Sequence, residues 1–161
     1  MSISEGARLP DAALVKMGPN GPEAVSVSAL TAGRKVVIFA VPGAFTPTCH
    51  TAHMPGFIAV KDQLAAKGID EIVCISVNDA HVMRAWGEAT GATAAGITLL
   101  ADGMGEFTDK LGMTFDAAVV GMKGRSKRYA MMVEDGVVKV WHPETTRGCE
   151  VSGGPAMVAA L

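Results

Sequence analysis

The stretch of this chain with the most chemistry in it is Val41-Pro42-Gly43-Ala44-Phe45-Thr46-Pro47-Thr48-Cys49. An apolar, β-branched run from Lys35 to Val41 stops at Pro42-Gly43, and apolar residues at helical spacing begin close to Cys49. A cysteine in the first turn of a helix faces backbone N–H groups without helical partners and lies at the positive end of the helix dipole. Both favour thiolate over thiol, and the thiolate is the nucleophile. Thr46, three residues before the sulfur, carries a hydroxyl that can donate to or accept from a nearby oxygen. Thr46 and Thr48 are both candidates to cap the helix. Pro42 and Pro47 stiffen the loop, and Gly43 permits a close backbone approach. Gly43 and Phe45 are candidates to line or support a pocket. A lone cysteine is otherwise a small buried hydrophobe, and its neighbours argue against that reading here.

Other polar and sulfur-bearing residues carry weaker signals. His53 lies four residues after Cys49 and could line the pocket or hold the loop by a hydrogen bond, although packing explains it as well. Cys49, His50 and His53 could together suggest a metal, but no carboxylate cluster or second cysteine pair accompanies them, so no metal or cofactor is expected. Cys74 falls inside Ile72-Val73-Cys74-Ile75-Ser76, a run expected to be a buried strand with an inert thiol. Cys149 follows the Thr145–Gly148 loop and is expected to be exposed. Gly103-Met104-Gly105 is too short for a phosphate-binding loop and reads as a turn, and Met131-Met132 reads as core filler. Trp86 reads first as packing.

These residues need a frame. Lys35–Val41 and Glu71–Val77 read as strands buried on both faces. Between them, His50 to Lys67 has helical spacing, with Pro55 expected to bend it and Gly68 to stop it. A second helix is expected after Asn78-Asp79, through Trp86 to about Ala89, then a short strand over Ile97–Ala101. Arg128–Val133 and Val137–Trp141 flank Asp135-Gly136 as a hairpin, and Pro155–Leu161 suggests a closing helix. Parallel crossovers followed by a hairpin imply an α/β fold, a mixed central sheet with helices on both faces.

Composition bounds the function. A chain of 161 residues, 49% hydrophobic, without internal repeats or linkers, is expected to form one domain over residues 1–161. A net charge of -2 provides neither the basic excess of a nucleic-acid binder nor a disordered acidic run. The N-terminus lacks a signal-peptide pattern and no stretch is long enough to span a bilayer. The three cysteines, with no Cys-x-x-Cys pair, fit a reducing compartment. The expectation is a soluble, cytoplasmic protein whose partners are small molecules or proteins.

Pro42, Thr46 and Cys49 match the Pro-x-x-x-Thr-x-x-Cys signature of the peroxiredoxins. PGAFTPTC, HMPGF, CISVND, MRAW, SKRYAMMVEDG and EVSG resemble the type II or type V subfamily across most of the chain. The resemblance implies a thioredoxin-like fold and reduction of hydrogen peroxide and organic hydroperoxides by Cys49, through a sulfenic acid and without a cofactor. It gives Arg128, otherwise a solvated charge in the run Lys123–Arg128, the role of stabilising the thiolate and polarising the peroxide beside Thr46, with Pro42 shielding the sulfur. Arg125 and Arg147 are the alternatives for that charge. Plant relatives give the cysteine matching Cys74 a resolving role; animal relatives place a resolving cysteine near Cys149 but offset from it. The expected reductant is therefore external, glutathione or a glutaredoxin, with thioredoxin and resolution by Cys74 or Cys149 as the alternative. The resemblance also implies a homodimer meeting near the catalytic loop and the Trp86 helix. A thiol-disulfide exchanger is disfavoured because Ala52 stands where a second cysteine would be, and a low-turnover redox sensor is the remaining rival.

Overall fold

The run Lys35–Ala40 shows why both faces of the sheet are covered. Its side chains alternate: Val37 and Phe39 enter one apolar cluster, Val36, Ile38 and Ala40 the other, and all five are fully buried. Full burial of the Val, Ile and Phe side chains contributes about 1.5–3 kcal/mol each, and the strand lies in the interior of the sheet. The computed structural model describes residues 3–161.

In chain order the strands are β1 (Ala13–Gly18), β2 (Gly21–Ser26), β3 (Lys35–Ala40), β4 (Glu71–Ser76), β5 (Thr98–Ala101), β6 (Thr114–Ala117), β7 (Met122–Ser126), β8 (Tyr129–Glu134) and β9 (Val137–Pro143). Seven form a mixed sheet of order β2-β1-β5-β4-β3-β8-β9, and β6 and β7 pair separately. β3, β4 and β5 are parallel, whereas β8 runs antiparallel to β3 and β9 to β8. Helices α1 (Val27–Thr31) and α4 (Glu106–Lys110) cover one face through Leu30 and Phe107. On the other face lie α2 (Met54–Ala66), α3 (Ala80–Thr90) and α5 (Gly154–Ala160), through Phe57, Trp86 and Met157.

The expected hairpin is present with its turn geometry. Asp135 and Gly136 take φ of 47° and 75°, the two positive values that a tight two-residue turn demands between Glu134 and Val137. Asp135 tolerates this because its carboxylate is engaged, accepting from Gly33 N at 2.7 Å. Met131 and Met132 are buried as read, and Gly103-Met104 forms a turn.

Three features differ from the sequence expectation. The first hairpin, β1–β2, was not anticipated, although Gly18-Pro19-Asn20-Gly21 is a turn signal; Lys16 and Glu23 interrupt the apolar pattern because β2 is an exposed edge. The basic run before Arg128, for which the sequence predicts no element, is a strand of a second hairpin, β6–β7. The helix expected over His50–Lys67 opens earlier, at Pro47, and passes through a π-turn at Cys49–His53 before α2 begins. There Met54 N–H reaches back to Cys49 O, one residue further than in an α-helix, and Pro55, which has no N–H to give, falls in the first turn of α2. The irregularity expected at Pro55 is thus displaced upstream, onto the residues nearest the sulfur.

Candidate active site

The loop from Val41 to Thr46 is built by hydrogen bonds that close it on itself and tie it to β4. Thr46 Oγ1 donates to Gly43 O at 2.7 Å, and Ala44 N–H donates to Asn78 Oδ1 at 3.0 Å. Asn78 is itself held by Ser76 Oγ, at 2.6 Å, while the helix cap beside it is Asp79, which accepts from Val82 N. Neither threonine caps the helix at Cys49, contrary to the sequence reading. Thr48 is already in helical conformation with no capping bond, and the Thr46 hydroxyl is turned back into its own loop. Gly43 leaves room for Arg125: a Cβ there would stand 2.8 Å from Arg125 Nη1, which donates to Pro42 O at 3.3 Å. Phe45 pays a conformational cost, with φ of 63° in the left-handed region that side chains avoid; its ring is half exposed and stacks on His50 at 5.9 Å.

Cys49 is fully buried, packed in the same apolar cluster as Phe39, Val41 and Met54. Arg128 stands beside it, only 7% exposed, and its Nη2 donates to Cys49 Sγ at 3.2 Å. A desolvated guanidinium against sulfur stabilises the thiolate and keeps further N–H donors for an incoming oxygen. The basic-run reading of Arg128 as a solvated charge is therefore wrong, because its side chain turns inward from the start of β8.

His53 explains how the guanidinium is held. It is fully buried, packed with its ring tilted against those of Phe39 and Phe57, and both ring nitrogens are used. Nε2 lies 2.8 Å from Ser152 O and Nδ1 lies 2.9 Å from Arg128 Nη1. A carbonyl can only accept and a guanidinium can only donate, so the ring is neutral with its proton on Nε2. Burial first, and the Arg128 charge second, push its pKa down from 6.5 to about 3, consistent with that assignment. His50 Nδ1 accepts from Trp86 Nε1 at 3.0 Å, which fastens the π-turn to α3. Among the described residues no group of three or more His, Cys, Asp or Glu side chains is placed to share a metal ion.

The other sulfurs differ. Cys74 is fully buried in β4, and burial pushes its thiol up. Cys149 is half-buried, not exposed as read, because its Sγ lies 3.9 Å from Ser152 Oγ; burial raises its thiol as well. Trp86 is fully buried, so its own role is packing and the bond to His50. A cleft of about 810 Å³ approaches the site, lined by Pro42, Arg128, Phe115, Val119, Val120 and Arg147 among others, but not by Cys49. Arg125 and Arg147, the alternatives to Arg128, thus lie on the loop backbone and in the cleft wall.

The redoxin family model matches residues 4–154. The chain is 49% identical over 164 residues to chloroplastic peroxiredoxin-2E-2 of Oryza sativa, covering 99% of this chain and 73% of that one. It is 41% identical to peroxiredoxin-2B of Arabidopsis thaliana, covering 99% and 98%. This chain belongs to the peroxiredoxins. Among solved peroxiredoxins, the crystal structure of reduced Prx3 of Vibrio vulnificus in complex with H2O2 superposes with a TM-score of 0.93 at 49% identity, covering 98% of each chain. As a peroxiredoxin the chain is a thiol peroxidase on the thioredoxin-like fold, which is the architecture and the activity that the sequence motifs implied. Sequence reasoning missed Ser152, Glu144 and Asn78 as supports of the site; the stretches CISVND and EVSG contain two of them, but their partners lie too far along the chain to be read locally.

Proposed function

We propose that this peroxiredoxin reduces hydrogen peroxide and organic hydroperoxides with Cys49 as nucleophile and is recycled by glutathione or a glutaredoxin. The observation that carries the reading is the 3.2 Å contact from Arg128 Nη2 to Cys49 Sγ, with Nη1 anchored on His53. The thiolate attacks the terminal oxygen of the hydroperoxide; the S–O bond forms, the O–O bond breaks, and the sulfur is oxidised by two electrons to a sulfenic acid. The departing alkoxide or hydroxide takes up a proton and leaves as alcohol or water. Arg128 stabilises the thiolate and the charge that moves to the leaving oxygen, the Thr46 hydroxyl orients the peroxide, and Pro42 screens the sulfur from the cleft. The cleft is far larger than hydrogen peroxide, and Phe115, Val119 and Val120 make one wall apolar, which favours organic hydroperoxides.

The positions of the other sulfurs support recycling by an external thiol. All three cysteines are free thiols, Cys74 is enclosed in a central strand, and Cys149 is packed against Ser152. Glutathione condenses with the sulfenic acid to give a mixed disulfide and water, and a second thiol releases Cys49 by exchange. Three free thiols also suit a cytoplasmic setting. The exposed apolar side chains of Phe45, Val119 and Val120, beside the loop and cleft, support a homodimer meeting there. Sedimentation over a range of concentrations tests the dimer.

The reductant is tested by oxidising the reduced protein with one equivalent of peroxide, adding glutathione and mapping the adduct by peptide mass. Glutathione on Cys49, released by glutaredoxin, supports the reading. Rapid formation of a Cys49–Cys74 or Cys49–Cys149 disulfide before any thiol is added would overturn it in favour of internal resolution and a thioredoxin.

A further inference from the structure

The contacts around Arg128 close into a ring that passes through a residue with no part in the motif. Arg128 Nη1 donates to His53 Nδ1, and His53 Nε2 donates to Ser152 O. Ser152 is gripped by Glu144, whose Oε2 accepts from Ser152 N at 2.8 Å and from Ser152 Oγ at 2.6 Å. The same oxygen accepts from Glu150 N at 2.8 Å, and Glu144 N–H donates back to Arg128 O at 3.0 Å. The ring begins on the side chain of Arg128 and returns to its backbone.

Each link has a physical reason. A guanidinium that must point one N–H at sulfur needs a fixed acceptor for another, and a histidine supplies one only if its proton sits on the far nitrogen. The Ser152 carbonyl holds that proton on Nε2. Ser152 lies at the end of a loop whose residues Thr145, Thr146 and Arg147 are exposed, and regular structure resumes only at α5. The near end of the loop is fixed by the Glu144–Arg128 backbone bond, and the far end by the packing of Gly154 on Gly56 and Val60 of α2. Between those ends, the Glu144 carboxylate gathers three donors on one oxygen. Burial raises its pKa, but the hydrogen bonds from Ser152 and Glu150 outweigh this and hold it below the usual carboxylate range, so it is charged at neutral pH.

We propose that Glu144 is a positioning residue for the peroxidase reaction: by clasping the 144–152 loop at Ser152 it sets the His53 tautomer and aims the Arg128 guanidinium at Cys49. This rests on the reading that Cys49 is the nucleophile. Glu144 lines the cleft beside Arg128, but its carboxylate is bonded to Ser152 and Glu150, and in this scheme it acts on the sulfur through Arg128.

The test is a double-mutant cycle in a Cys74→Ser, Cys149→Ser background, reading the second-order rate with hydrogen peroxide and the pH at which the Cys49 thiolate absorbance appears. Glu144→Ala is expected to slow the peroxide reaction about tenfold and to move the thiolate absorbance to higher pH. Glu144→Gln, which keeps an acceptor oxygen without the charge, is expected to lose about threefold and serves if the alanine variant fails to fold. In Arg128→Met, adding Glu144→Ala is expected to cost nothing further. Losses that add in the double variant, or an unchanged rate and thiolate titration in a folded Glu144 variant, would overturn the proposal. Failure of the parent to consume peroxide would instead count against Cys49 as nucleophile.

Discussion

Cys49 and Cys74 are equally buried and belong to the same apolar cluster, yet they stand in opposite chemical situations. Cys49 lies in the first turn of a helical segment that opens at Pro47 and receives an N–H from a desolvated guanidinium. Cys74 sits in mid-strand between β3 and β5, where backbone groups are consumed by the sheet and its thiol is pushed up by burial. With Cys49 as the proposed nucleophile, exclusion from water does not decide reactivity. What decides it is whether the fold brings a charge and free donors into the dry space with the sulfur.

The sharpest way to break the comparison is to exchange sulfur for oxygen at each site. Cys49→Ser is expected to abolish peroxide consumption, a loss of at least about 1000-fold in a rapid-mixing assay, while Cys74→Ser and Cys149→Ser each retain the first oxidation step. Peroxide turnover by Cys49→Ser at the parent rate would sink the assignment. A smaller effect is expected from the charge alone. Arg128→Met should slow the peroxide reaction about 100-fold and move the Cys49 thiolate absorbance to higher pH. If rate and titration are both unchanged, the charge comes from Arg125 or Arg147.

The histidine that holds the guanidinium gives a third, pH-dependent test. Its pKa in the folded protein, about 3, lies below the 6.5 of the unfolded chain, so between those values the unfolded state binds the extra proton. The contribution of His53 is complete above pH 6.5 and is lost as pH falls towards 3. Urea unfolding should show about 2 kcal/mol lost from this source by pH 5, a loss absent from His53→Gln. A parallel decline in both proteins would show that other groups drive it. The smallest effect on turnover belongs to Cys74→Ser, which should cost about 1–3 kcal/mol of stability for an unpaired buried hydroxyl and leave the peroxide rate alone. A fall in that rate would mean that the two thiols are chemically coupled.

What the sequence disclosed of this arrangement follows the range of the forces involved. β3, β4 and the β8–β9 hairpin were legible because continuous apolar, β-branched runs and Asp135-Gly136 are local signals. Cys49 and Thr46 were legible for the same reason, within nine residues of one loop. Arg128 was legible only by family resemblance, since its inward turn depends on His53, 75 positions away. The Ser152 carbonyl lies 99 positions from the ring it holds, and a carbonyl has no sequence signature at all. The caps assigned to Thr46 and Thr48 failed because the loop closes on Gly43 before the helix starts.

The π-turn at Cys49–His53 amounts to one residue inserted in a helix, and so it constrains which length changes the chain can accept. The bulge absorbs that residue, so Cys49 and α2 keep the relation that a regular helix one residue shorter would give them, with Met54 N–H on Cys49 O in either case. A one-residue deletion at His50–Ala52 is therefore expected to remove the bulge and leave the sulfur in place, and what it disturbs is the bond from Trp86 to His50. A residue added there has no such ready relaxation, so the segment tolerates shortening better than lengthening.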